Sequence, residues 1–244
     1  MTWFLVVLLG WLWHALVFAQ GLPFPGPGVK GYAGAGSTVA VDARATLDAT
    51  ADAVTTLDMT TLTVGSGANR ALVCQVSNNG DPGTQTVNWD ATGTPQALTQ
   101  IVTANNGTGI YARLYGRVAP TAGNKTLRVT NTTARDTCVF CIAFTGVDQT
   151  GGVTSFPNST SSSNTTANPS LTITSAAGAW TISVLTTTTS VPSAPNHTSD
   201  YIEQNIANIN SAGQDATGAA TVTHSWTATA DTWVEAGTSV KAAP

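Results

Sequence analysis

Charge is what this chain has least of. Of its 244 residues only 9% are Asp, Glu, Lys or Arg, against about a quarter in ordinary soluble domains. Nine scattered Lys and Arg, at a net charge of -4 and a pI near 5.1, form no patch able to neutralise a run of phosphates, which argues against nucleic acid as a partner. Acid chemistry is equally thin. There are two Glu, Glu203 and Glu235, and neither has a second acid two or four residues away within its own predicted strand, the spacing that would aim the paired carboxylates of a glycoside hydrolase into one cleft. Of the three His, His14 lies in an apolar leader, His197 in a Pro/Asn loop, and His224 alternates with Val222 and Trp226 in a strand-like run, where it reads as core. The chain lacks a Gly-x-Ser-x-Gly elbow, a HExxH pair and a phosphate-binding Gly-rich loop. These absences point away from an enzyme and imply no cofactor and no metal; the turn Asn78 to Gly83 carries one carboxylate, Asp81, with no spaced acidic partner, and reads as a plain turn rather than a calcium loop.

Cysteine is scarce too. Three Cys are an odd number and too few for a disulfide framework. Cys138 and Cys141 have CxxC spacing, but in a run of period two that offset points them to opposite faces. Cys74 alternates with Leu72 and Val76 in another predicted strand, so a bridge from Cys74 to Cys138 or to Cys141 and a set of buried thiols remain the alternatives.

What the chain has in quantity is Thr and Ser, about a quarter of all residues, and apolar runs of strand length. Trp3 to Ala19 is the long exception, an apolar stretch broken by Gly10 and His14 and closed by Val17-Phe18-Ala19. It reads as a secretory signal peptide (1–19) with the mature chain starting at Gln20, although no Lys or Arg follows Met1; a retained membrane anchor is the competing reading. Residues 20–45 are Pro/Gly-rich and extended. Val39 and Val41 are the only large apolar residues between Tyr32 and Leu47, too few to anchor the stretch Ser37 to Ala43 unless it joins a sheet built by other residues, which makes it a candidate assembly strand for the sheet edge of a neighbouring copy, with a disordered tether or a first strand folded back on its own sheet as the alternatives.

Residues 46–244 carry about a dozen short alternating runs with turn signals roughly every 8 to 12 residues, which predicts one all-β domain, an antiparallel, jelly-roll-like β-sandwich. Gly109 to Thr150 holds three of them, read as a meander. In the first, Ile110, Ala112, Leu114 and Val118 share one face; Tyr111, Arg113, Tyr115 and Arg117 share the other, expected to meet solvent or a partner. Tyr and Arg are enriched in interfaces and Tyr rings stack on sugars, so this face is the candidate interface or glycan-binding surface, with ordinary sheet surface as the alternative. Leu57, Met59 and Leu62 lead into Arg70 to Ser77 as a hairpin or sheet-crossing pair. Tyr201 to Ile209 fits a strand or a helical stripe and is taken as a strand. Ser159 to Thr166 reads as a polar surface loop. Six Asn-x-Ser/Thr sequons, at Asn106, Asn124, Asn131, Asn158, Asn164 and Asn196, are candidate glycosylation sites.

Ala143-Phe144-Thr145-Gly146-Val147-Asp148-Gln149-Thr150 resembles a phrase from an uncharacterised β-sandwich module of bacterial secreted, surface and phage-encoded proteins. Gly65 to Val73 is similar to that module's early hairpin and Ala219 to Ala243 to its last strand pair. The resemblance covers about Thr46 to Ala243, implies turn and core residues and brings no catalytic ones. Residues and resemblance together predict a secreted, cell-surface structural protein that self-assembles into a fibre or filament through its N-terminal segment. A carbohydrate-binding or adhesion module and a phage virion surface protein are the alternatives, and a glycoside hydrolase is a more distant one.

Overall fold

A computed structural model of the chain describes residues 36–45, 49–107, 109–206 and 208–244. The leader and most of the Pro/Gly-rich segment lie outside the described residues. The rest forms an all-β, antiparallel sandwich, as the strand spacing predicts, with sixteen strands numbered here in chain order.

The first sheet contains β1 (Ala40–Arg44), β2 (Ala49–Met59), β4 (Ala71–Asn79), β5 (Gln85–Trp89), β6 (Gln96–Asn105), β7 (Ile110–Val118) and β9 (Leu127–Thr145). Its path runs β1-β9-β4-β7-β6-β5, and β5 then pairs with β9 again, so β9, β4, β7, β6 and β5 close into a ring. The 19 residues of β9 make this possible. Its first part, near Val129, pairs with β5, its last part, from Thr137 to Phe144, pairs with β4, and the exposed stretch Thr132 to Ala134 lies between them. The second and third runs of the expected meander are therefore one strand. β2 pairs with β9 and not with β4, which corrects the expected hairpin. A short pair, β3 (Thr63–Val64) and β8 (Gly123–Asn124), lies beside the ring.

The second sheet runs β10-β16-β12-β14-β13, with β10 (Thr160–Asn164), β12 (Trp180–Thr187), β13 (Thr198–Ile206), β14 (Ile209–Thr217) and β16 (Trp233–Val240). The polar stretch expected as a loop is thus edge strand β10, held by main-chain bonds to β16 that need no apolar side chain. The single strand expected over Tyr201 to Ile209 is split: Tyr201 to Ile206 belong to β13, Asn208 lies in a turn, and Ile209 starts β14. Between the sheets, Phe140 stacks on Tyr201 with ring centroids 5.0 Å apart, Phe144 tilts against Trp180, and Ile182, Val184, Val234 and Ala236 complete the shared core. On its other side the second sheet is covered by a ribbon of β11 (Ser170–Thr174) and β15 (Thr221–Ser225), whose buried Leu171, Ile173, Val222 and His224 alternate with outward Thr172, Thr174, Thr221 and Thr223. Gly237 permits this third layer: a Cβ there would lie 2.6 Å from Ile173 Cδ1 and 2.9 Å from Leu171 Cδ2.

Two expectations about the N-terminal part are corrected. β1 lies on β9 of its own chain, and Val39 is buried with its N–H bonded to the carbonyl of Gly178, so the stretch around Val39 and Val41 completes its own sheet, which other residues build. The sandwich thus takes in residues 36–45, before the boundary expected at residue 46.

Candidate functional site

Tyr111, Arg113, Tyr115 and Arg117 do not form an open face. Leu114 and Ala112 point at the second sheet, and the Tyr/Arg side of β7 turns into the closed ring, opposite Cys74 and Val76 of β4. Tyr111, Arg113 and Tyr115 are buried and Arg117 partly so. Tyr115 Oη is bonded to Gln85 Oε1 (3.0 Å) and Gln100 Oε1 (3.1 Å), and burial pushes its phenol up. The Arg113 guanidinium lies 4.8 Å from the centre of the Tyr111 ring and reaches Thr103, Gln85 and Asp81. Ring closure buries both faces of one strand, and a period of two in sequence cannot report that.

Inside the same ring, Cys74 and Cys141 are direct partners on β4 and β9 and form a disulfide. Cys138 is on the opposite face, buried and outside the disulfide.

Two clusters of chemically capable side chains lie in the second half. The first is at the seam between the sheets. Asp215 on β14 and Asp200 on β13 have fully buried carboxyl groups within hydrogen-bond reach of each other, and Arg44 of β1 bridges them, with Nη2 2.6 Å from Asp215 Oδ2 and Nε 3.3 Å from Asp200 Oδ1. Asp200 reaches this place from the irregularity between Ser199 and Tyr201, where β13 slips its register against β14. Trp180 Nε1 donates to Asp215 Oδ1 (2.8 Å) and Gln75 Nε2 to Asp200 Oδ2 (2.8 Å). Burial, reinforced by Asp215, pushes the Asp200 carboxyl well up. Two like charges this close favour one retained proton, and the remaining negative charge matches Arg44.

The second cluster lies under the ribbon. Ser183 Oγ of β12 is 2.9 Å from His224 Nδ1 and 2.9 Å from Glu235 Oε1, and His224 Nε2 is 2.9 Å from Thr181 Oγ1. All four residues are fully buried. Burial pushes the imidazole down to about 3, with His197 reinforcing it, and pushes the Glu235 carboxyl up to about 8. Both groups are therefore neutral at pH 7, which avoids the several kcal/mol that an unpaired buried ion costs. In the proton order that has Ser183 donating to His224 Nδ1, the Glu235 acid donates to Ser183 Oγ and His224 Nε2–H to Thr181, whose hydroxyl donates to the Ala216 carbonyl (3.3 Å); Glu235 Oε2 has no partner in it. Next to it, with the Gln214 amide of β14 turned so that its oxygen faces donors and its nitrogen an acceptor, the carbonyl oxygen lies 2.9 Å from Trp226 Nε1 and 3.2 Å from Ser225 N, and the amide nitrogen 3.2 Å from Asn196 Oδ1.

The order differs from that of a hydrolytic triad. Ser stands between His and Glu instead of at the end of the relay, and none of the three faces solvent. His224, Trp226 and Val222 are core, in line with their alternation. Ser183, Gln214, Asp200 and Asp215 escape a reading of the sequence because the fold unites residues far apart along the chain, 52 positions for Ser183 and Glu235 and 171 for Arg44 and Asp215. Their one local signal is that β14, Ile209–Thr217, is polar along most of its length and yet buried. Of the sequons, Asn106, Asn124, Asn158, Asn164 and Asn196 are exposed, whereas Asn131 is 3% exposed and bonded through its amide to Thr137 and the Val54 carbonyl, which removes it as a glycosylation site.

No known protein family, curated protein or solved structure matches this chain.

Proposed function

We propose that the chain is a non-enzymatic, extracellular structural protein, a subunit of a surface fibre or filament. The carrying observation is that its reactive groups engage one another inside the fold: Asp200, Asp215 and Arg44 fasten the first strand to the second sheet, and Ser183, His224 and Glu235 fasten the ribbon. The Cys74–Cys141 disulfide supports an oxidising compartment. The apolar leader at Trp3 to Ala19 and the resemblance around Ala143 to Thr150 support export and a surface location. Because β1 lies on its own sheet, the connecting segment is residues 20–35.

Glycans on the five exposed sequons fit this reading where the host glycosylates exported proteins. A second reading, adhesion to carbohydrate, is favoured by the row of outward hydroxyls on the ribbon (Ser170, Thr172, Thr174, Thr221, Thr223).

Electron microscopy and sedimentation of the mature protein and of a chain starting at Gly36 test the assembly. Gly36 is the appropriate start because it keeps Val39 and Arg44, both part of the folded domain. Filaments that need residues 20–35 support the proposal; a mature protein that stays monomeric at high concentration, or equal polymerisation of both chains, refutes it.

A further inference from the structure

We propose that Ser183 and Gln214 become joined by an ester crosslink that the chain makes within itself, His224 acting as the base. The two residues are direct cross-strand partners on β12 and β14 and point to the same, ribbon-covered face, where the Cβ atoms of such a pair lie about 4.5–5.5 Å apart. That distance is within reach of a serine oxygen and a glutamine carbonyl carbon.

The other parts of an acyl transfer surround the pair. His224 Nδ1 is 2.9 Å from Ser183 Oγ, burial keeps the imidazole neutral, and in the tautomer whose Nε2–H is donated to Thr181 the lone pair lies on Nδ1, facing the serine. In the turned orientation of its amide, the Gln214 carbonyl oxygen accepts from two N–H groups, Trp226 Nε1 at 2.9 Å and Ser225 N at 3.2 Å, the latter shared with Asn196 Oδ1 at 2.8 Å. Two such donors stabilise the oxyanion that develops when the carbonyl is attacked. Glu235 holds Oγ from its other side without adding charge.

In the reaction the Oγ–Cδ bond forms as His224 takes the hydroxyl proton. The tetrahedral centre then expels Nε2, which takes that proton and leaves as ammonia. One amide and one hydroxyl become one ester, and no oxidant, metal or activated co-reactant is consumed. Water, which would hydrolyse the ester, is excluded by Leu171, Ile173 and Trp226. The bond would fix β12 to β14 independently of the Cys74–Cys141 disulfide in the other half.

The test is the mass of the purified full chain after denaturation and reduction. The expected mass is short by one ammonia, and digestion yields a single branched peptide containing both Ser183 and Gln214. Hydroxylamine separates that peptide, leaving a hydroxamic acid at position 214. Ser183→Ala should have the full mass, and since ring closure of an N-terminal Gln also loses ammonia, the peptide map and this variant distinguish the two. A wild-type chain of full mass, or a loss mapped to another residue, overturns the proposal whether or not any variant folds.

Discussion

The two halves of the sandwich are filled in opposite ways. The ring of β9, β4, β7, β6 and β5 encloses mainly apolar side chains, Leu72, Val76, Trp89, Leu98, Leu127 and Val129, with Tyr115 and Arg113 bonded inside it. Under the ribbon the second sheet encloses Thr181, Ser183, Gln214, His224 and Glu235, along with Leu185, Ala212, Trp226 and Trp233. An apolar core depends on shape and is indifferent to pH; a polar one holds only while each proton is where its neighbours need it. One chain therefore has two kinds of stability, joined through Phe140, Phe144 and their partners.

The largest effect is expected where the halves meet. Phe144→Ala removes a fully buried ring between the first sheet and Trp180 and should cost about 3–5 kcal/mol. Urea unfolding at several pH values reads it, and a loss that varies strongly with pH would break the assignment of this region to apolar packing.

The second test separates the halves by pH. Glu235 stays neutral in the fold up to about 8, while in the unfolded chain it ionises above its ordinary 4.5. Its contribution is complete below that value and falls by about 1.4 kcal/mol per pH unit as pH rises towards 8. Asp200, also raised, adds loss in the same direction. His224 acts in reverse: neutral in the fold down to about 3, it is protonated in the unfolded chain below about 6.5, so stability falls as pH drops through that interval. Stability should thus be greatest in mildly acidic solution. Glu235→Gln keeps the neutral shape and removes one slope, so its unfolding curve should gain on wild type steadily from pH 4.5 to 8; parallel curves would show that the carboxyl is ionised in the fold.

The smallest effect belongs to the ring. Tyr115→Phe takes one donor from Gln85 and Gln100 and leaves the packing intact, an expected loss of about 1–2 kcal/mol. A variant as stable as wild type would mean that water replaces the hydroxyl, and that this side of β7 is more open than its burial indicates.

The architecture was legible in the sequence wherever apolar and polar residues alternate, as in Trp180–Thr187, Ser170–Thr174 and Trp233–Val240. It was not legible where pairing replaced patterning: in β10, a run of Ser and Thr held by the backbone of β16, and in β14, buried through hydrogen bonds instead of oily side chains. The Tyr111 to Arg117 face was misjudged for a third reason, because closure of a sheet is a property of β5 and β9 and leaves no trace in β7. The polar clusters were invisible for another cause, that the fold brings together residues distant in sequence. Nothing near Glu235 in sequence announces Ser183 or His224.

The start and the finish of the described fold meet at one carbonyl. Ser37 Oγ donates to Gly146 O (3.2 Å) and to Ala243 O (3.0 Å), while Ala243 N donates to Gly146 O (2.8 Å). Tension applied between Gly36 and Pro244 would therefore reach these few contacts first and, once they open one after another as a zip opens, pass to β1 and β16.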